Sequence, residues 1–189
     1  MKLTIPLVKT STLLYALNEV SDSISSYRLN TVDGTLIDLG LDVLSGDAPS
    51  RIVLDPFGRF LFSASRLTHQ LFAFAIDPNT GVLQEPFELT LPNGLQEPVA
   101  MAIDPAGRYL YVAADSIACC PNHNALVSYR IDQDSGALEG QSSNTTWSSR
   151  LLGTANPTAI VLDPSGRNLY LSTDVNFQVF TPIDGAMGV

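Results

Sequence analysis

Asp55-Pro56-Phe57-Gly58-Arg59, Asp104-Pro105-Ala106-Gly107-Arg108 and Asp163-Pro164-Ser165-Gly166-Arg167 are three copies of one pentapeptide, Asp-Pro-x-Gly-Arg, starting 49 and 59 residues apart. Each follows a short apolar run and precedes one rich in aromatics. The chemistry is that of a tight turn. Asp accepts hydrogen bonds from backbone two residues on, Pro fixes φ, and Gly accepts positive φ. A turn recurring at this period marks a repeat architecture.

Working outward from the first copy, residues 49–54 form an apolar strand that runs into the turn. Residues 60–64 form a second strand, and residues 70–76 an alternating, aromatic third. Asp77-Pro78-Asn79-Thr80-Gly81 is a further turn. Residues 82–91 supply an outer strand interrupted by Pro86, which an edge tolerates because no ladder donor is needed there. The next unit repeats the order with strands at 98–103, 109–114 and 125–131. Its turn is Asp132-Gln133-Asp134-Ser135-Gly136, and its fourth strand opens at residues 137–138. The last unit has strands at 157–162, 168–172 and 177–180, then a degenerate turn near Ile183-Asp184-Gly185. The first unit is partial: 13–17 matches the second strand, 24–29 the third, and Thr31-Val32-Asp33-Gly34 the outer turn.

Four meandering strands per unit of roughly 45–55 residues are the mark of a β-propeller blade. The expectation is an all-β chain, one propeller domain over residues 1–189. Its four-stranded antiparallel blades fall near 1–47, 48–96, 97–155 and 156–189, about four in number (three complete plus a partial one). Tyr27, Phe74, Tyr129 and Phe180 share one repeat position and are expected to pack between neighbouring blades. Arg59, Arg108 and Arg167 are expected as surface or inter-blade ion-pair residues. Propellers close with about 4–8 blades. The chain therefore reads as a four-bladed closure, a piece of a larger ring, or half of an oligomer that self-associates to complete one. The apolar end Gly185-Ala186-Met187-Gly188-Val189 favours the piece of a larger ring.

Composition narrows the function. Ten basic residues stand against nineteen acidic, a net charge of -9. That excludes a nucleic-acid or anionic-membrane surface, which needs clustered Lys and Arg. No apolar run approaches the ~18 residues of a spanning helix. Residues 1–8 lack a small-residue cleavage signature, so a signal peptide is not expected. Cys119 and Cys120 are adjacent, so there is no disulfide framework. His123 lies near them, but no further ligand completes a metal set. Asn144-Thr145-Thr146 fits the glycosylation pattern. No nucleophile elbow, P-loop or dinucleotide glycine pattern occurs, so no metal and no cofactor are expected.

Leu13-Leu14-Tyr15-Ala16-Leu17-Asn18-Glu19, residues 104–113, Tyr129-Arg130-Ile131-Asp132 and Gly136-Ala137-Leu138 resemble the seven-bladed β-propeller lactonases, among them the bacterial 6-phosphogluconolactonases. The resemblance covers nearly the whole chain, and its motifs define the blade. It implies hydrolysis of a sugar-acid lactone such as 6-phosphogluconolactone, with a small-molecule partner and a cytoplasmic compartment. Such a reaction needs a base or positioned water, and cations to hold carboxylate or phosphate. Members of that family often carry His or Arg just before the innermost apolar run. Here those positions read Ser50-Arg51, Val99-Ala100 and Thr158-Ala159, and only Arg51 has suitable chemistry. The candidates are Arg51 and Glu19 for catalysis, with Arg66 and His69 for substrate binding. The other reading is a non-catalytic propeller serving as a binding or scaffold module.

Overall fold

The computed structural model describes residues 12–40, 42–91, 97–115, 124–139, 150–153, 155–183 and 186–188. Cys119, Cys120, His123 and Asn144 lie outside the described residues. Those described form four antiparallel sheets in chain order, and no helix occurs among them.

The first sheet holds β1 (Thr12–Asn18), β2 (Ser23–Leu29), β3 (Leu36–Asp38) and β4 (Val43–Leu44). Both β3 and β4 pair with β2, so the outer strand is one strand broken in two. The break falls at Gly40 (φ +83°), whose N–H donates to the Asp38 carboxylate at 2.7 Å. Among the described residues no strand lines the inner edge of β1, in keeping with a partial first unit.

The second sheet runs in the order β5 (Pro49–Leu54), β6 (Phe60–Ser65), β7 (Gln70–Ala75) and β8 (Phe87–Thr90). The expected outer strand 82–91 is shorter than read. Leu83 makes an isolated bridge to Ile76, and continuous pairing starts only at Phe87, after Pro86. The missing Pro N–H and fixed φ account for the interruption. The third sheet contains β9 (Glu97–Ile103), β10 (Tyr109–Asp115), β11 (Asn124–Ile131), β12 (Leu138–Glu139) and β13 (Arg150–Gly153), with β12 and β13 both on β11. The fourth is β14 (Pro157–Leu162), β15 (Leu169–Thr173), β16 (Phe177–Ile183) and β17 (Ala186–Gly188).

The Asp-Pro-x-Gly-Arg turns join the first two strands of the last three sheets. In each, the Asp N–H closes onto the carbonyl five residues on, at 2.9, 3.1 and 2.9 Å, and the Gly N–H returns to the Asp carbonyl. The Asp carboxylate accepts the backbone N–H of the turn Arg in all three copies. Arg59 also pairs with Asp55 at 3.2 Å and reaches Gln133 of the next sheet at 3.1 Å, and Arg108 pairs with Asp104 at 3.7 Å.

The sheets stack face to face, so a middle strand is covered on both sides. All six residues of β6 are buried, which is why it reads as a continuous apolar run and not as an alternation. Phe60, Phe62, Leu71 and Ala73 of the second blade pack on Leu110, Val112, Val127 and Tyr129 of the third. Each fully buried large side chain here contributes about 1.5–3 kcal/mol. Phe74, Tyr129 and Phe180 lie buried between blades, while Tyr27 is only half-buried.

The outer turns repeat a tighter contact. Gly81, Gly136 and Gly34 occupy one position with φ of +80°, +76° and +76°. A Cβ on Gly136 would sit 2.4 Å from the Phe60 ring, and one on Gly81 2.4 Å from Leu13, whereas one on Gly34 would meet nothing within 4 Å. Gly136→Ala is expected to cost about 3 kcal/mol, from strained backbone plus overpacking against a buried ring, and Gly34→Ala about 1 kcal/mol from backbone strain alone. Urea denaturation of the two variants checks the difference.

Candidate functional site

Blade-to-blade stacking brings the starts of the inner strands, and the loops between second and third strands, to one face of the molecule. Each of the three inner strands carries a one-residue β-bulge at the same position. Ser50 is the extra residue between the pairs Pro49↔Ser65 and Arg51↔Ala64. Val99 is extra between Pro98↔Ala114 and Ala100↔Ala113, and Thr158 between Pro157↔Thr173 and Ala159↔Ser172. A bulge re-aims side chains and leaves backbone groups off the ladder. Arg51 exploits this. Its Nε donates to the bulged Val99 carbonyl at 2.5 Å and its Nη1 to the Ser50 carbonyl at 2.6 Å. Ser50 Oγ also crosses to the Pro98 carbonyl at 3.1 Å. In the last inner strand Thr158 Oγ1 bonds Ser172 Oγ at 2.7 Å instead. Arg51 is exposed, and three of its five guanidinium N–H donors remain after these two bonds.

Glu19 and Arg66 are brought together. They lie in the equivalent loops of blades one and two, β1–β2 and β6–β7, and pair at 3.8 Å with both side chains exposed. An exposed pair of this kind contributes about 0–1 kcal/mol. His69 closes the β6–β7 loop in the left-handed region (φ +57°), where His is more tolerated than most residues, and its carbonyl accepts the Leu91 N–H at 2.8 Å. The hydrogen bonds of Arg51 go to Val99 of the third blade's inner strand and to Ser50 of its own strand, not to the Glu19–Arg66 pair.

One residue at this face was not singled out in the sequence. Asp115 ends β10 and sits directly opposite Glu97 in the β9–β10 register, with Asp174 of the fourth blade close by. Burial pushes its carboxyl up to about 6, and the Glu97 and Asp174 charges push in the same direction. Its Oδ1 is shielded from solvent and has no hydrogen-bond partner among the described residues. Asp174 is engaged differently, accepting the Asn156 backbone and side-chain N–H at 2.9 Å each. Arg51 and Asp115 are thus tied to the same short segment, one through the Val99 carbonyl and the other through its pairing with Glu97. Sequence reading offered no signal for Asp115, because an Asp ending a strand looks like any loop carboxylate until the strand opposite is known.

Among the described residues no group of three His, Cys, Asp or Glu gathers to hold a metal ion. A groove of about 630 Å³ opens between the outer strands of blades one and two, lined by Asp42, Phe72, Leu83, Glu85 and Glu88 among others. None of Arg51, Glu19, Arg66 and His69 lines it.

Residues 4–94 match the model of the lactonase family, described as a seven-bladed β-propeller. A 6-phosphogluconolactonase of Formosa agariphila is 35% identical over 81 residues, which cover 41% of this chain and 23% of that protein. The first half of the chain thus resembles the lactonase-like β-propellers. Solved structures agree on the fold. A candidate 6-phosphogluconolactonase from Bacteroides uniformis superposes with a TM-score of 0.76 at 17% identity, covering 93% of this chain and 49% of that one. The periplasmic gluconolactonase of Pseudomonas aeruginosa gives 0.66 at 23% identity, covering 94% and 49%. The chain therefore spans about half the length of these two structures. Among the described residues of this propeller no helix is long and apolar enough to cross a membrane.

Proposed function

We propose that this chain carries part or all of a lactone-hydrolysing site of the 6-phosphogluconolactonase kind, at the face where Arg51 and Asp115 meet the Glu97–Val99 segment. The observation that supports it most is that Arg51, an exposed guanidinium on a bulged inner strand, bonds the same short segment, through the Val99 carbonyl, that Asp115 pairs with through Glu97. Arg51 is suited to hold a phosphate or carboxylate in its fork and to stabilise charge building on the lactone carbonyl oxygen. Asp115, ionised above about pH 6, is suited to take a proton from the attacking water. The water oxygen bonds the carbonyl carbon, the ring carbon–oxygen bond breaks, and the proton passes from Asp115 to the departing ring oxygen. The product is the open sugar acid. Glu19 with Arg66, and His69, would contact more distal parts of the substrate. A cytoplasmic compartment is part of the same proposal.

The test is proton release from 6-phosphogluconolactone and from unphosphorylated gluconolactone, each measured against the spontaneous rate. Turnover of the phosphorylated lactone by the 189-residue chain is expected, with kcat/KM rising through an apparent pKa of about 6 that Asp115→Asn abolishes. Stability gives an independent readout. The folded pKa of Asp115 lies above its ordinary 3.8, so the folded protein holds a proton that the unfolded chain releases. Stability from this group is present at low pH and is lost as pH rises from 3.8 to about 6. Asp115→Asn is therefore expected to melt higher than the wild type above pH 6, with thermal melts from pH 4 to 8 as the check.

A second reading, a non-catalytic binding propeller, is favoured by one observation: two Arg51 donors already serve backbone carbonyls. It predicts a background rate with both lactones, and no change on replacing Arg51 or Glu19.

A further inference from the structure

The seam between blades one and two is packed along its inner part and open along its outer part. Tyr15, Leu17 and Ile24 of blade one pack with Leu61, Phe72 and Phe74 of blade two. Farther out, both outer strands are interrupted, one at Gly40 and the other at Pro86. The groove of about 630 Å³ opens here. One wall is Asp42, Val43 and Leu44, just after the first break, and the other includes Leu83, Glu85 and Pro86 at the second. Its volume falls in the range of small-molecule sites, about 300–1,000 Å³.

The floor is apolar, with Phe72 and Leu83 buried in it. The walls carry three exposed carboxylates, Asp42, Glu85 and Glu88, and no Lys, Arg or His among the described lining residues. Gln70 Nε2 donates to Glu88 Oε2 at 3.2 Å and orients that carboxylate. The carboxylates do not converge, since no group of three His, Cys, Asp or Glu gathers to hold a metal ion among the described residues. Glu85 and Glu88, three residues apart, are separated by about 10 Å of extended chain. One polar group on the same seam is unanswered. Ser26 is 2% exposed, and its Oγ has no hydrogen-bond partner among the described residues. It lies on the same side of β2 as Ile24, turned toward blade two, and its carbonyl accepts the Leu39 N–H just before the break at Gly40. A buried hydroxyl left without a partner calls for an explanation, and a ligand donor supplies one.

We propose that this groove binds an aliphatic polyamine, an extended chain of ammonium groups separated by methylenes. Carboxylates set apart along two walls match cations in a row, and the apolar floor between them matches the methylenes. A compact metal cation needs its oxygens gathered around one point, and these are spread out. A peptide strand brings backbone carbonyls that an acidic, apolar groove leaves unpaired. A secondary ammonium N–H is the donor that Ser26 Oγ lacks. The net charge of -9 draws polycations to the molecule, and the groove gives them a shaped place to stop. Neither Arg51 nor Asp115 lines it, so the proposal stands apart from the hydrolase reading.

Isothermal titration calorimetry with spermidine, at about 0.15 M ionic strength, decides it. Saturable one-to-one binding is expected. Mg²⁺ at matched charge should not displace the spermidine, because the methylenes on the apolar floor supply part of the affinity. Glu85→Gln combined with Glu88→Gln should weaken binding about ten-fold. Asp134→Asn, an exposed carboxylate on the outer turn of blade three, should leave it unchanged. Thermal melts add a second readout. Ser26→Ala removes an unpaired buried hydroxyl, so it should melt higher than the wild type without ligand and gain less from spermidine. No saturable binding, displacement by Mg²⁺, or an equal loss in the groove and Asp134 variants overturns the proposal, the carboxylates then acting only as a diffuse negative field. The Gln replacements are exposed and near in shape, so the fold should survive them, and the spermidine–Mg²⁺ comparison needs no variant.

Discussion

Arg51→Ala is expected to lower turnover of 6-phosphogluconolactone by about 100-fold or more, the usual loss when a donor to developing charge is removed. The fold should survive the change. The side chain is exposed, and its two bonds to the Ser50 and Val99 carbonyls leave acceptors that water reaches. The stability cost is therefore about 1 kcal/mol. Arg51→Lys should recover only part of the rate, because a point charge replaces a planar fork. The two lactones separate the roles. A larger loss with the phosphorylated substrate means the guanidinium holds phosphate. An equal loss with both means it acts at the carbonyl. Unchanged kcat/KM for both would remove Arg51 from the site. Steady-state kinetics beside a urea melt of the same preparation supply the answer.

The largest effect on stability is expected at the first repeat turn. Asp55 is 2% exposed, and its carboxylate accepts the Phe60 backbone N–H at 3.0 Å, the Arg59 backbone N–H at 2.5 Å and Arg59 Nε at 3.2 Å. Asp55→Ala removes both acceptor oxygens, and with them three hydrogen bonds, and strands the buried Phe60 N–H. It is expected to cost about 2–4 kcal/mol. Asp163 opens the third copy of the same motif and makes comparable bonds to Arg167, Ser165 and Asn168. It stands nearer solvent, so water replaces what Ala removes, and Asp163→Ala should cost clearly less. Equal losses in urea denaturation would show that the motif, and not its surroundings, sets the energetics.

That contrast separates local information from tertiary information. The turn grammar was legible because Asp, Pro and Gly act on their own backbone. It placed the strand runs around all three copies, and from them the blade and the lactonase-like resemblance. The outer strands were less legible, since Pro86 and Gly40 interrupt pairing at points that depend on what the partner strand offers. Glu19 and Arg66 were each legible as candidates but not as a pair, because 47 residues and a blade boundary separate them. Asp115 was not legible at all. Its carboxyl is raised first by burial, then by Glu97 across a ladder and Asp174 across a blade interface.

Alone, the sequence determined the repeat, its turns and the aromatic position that recurs in every blade, because these follow from propensities spanning a few neighbouring residues. Only the tertiary structure decided which copy of each repeated residue is buried and which bulged carbonyl Arg51 reaches. Burial and charge environment are set by the blade alongside, and equivalent residues have the same local sequence but different neighbours.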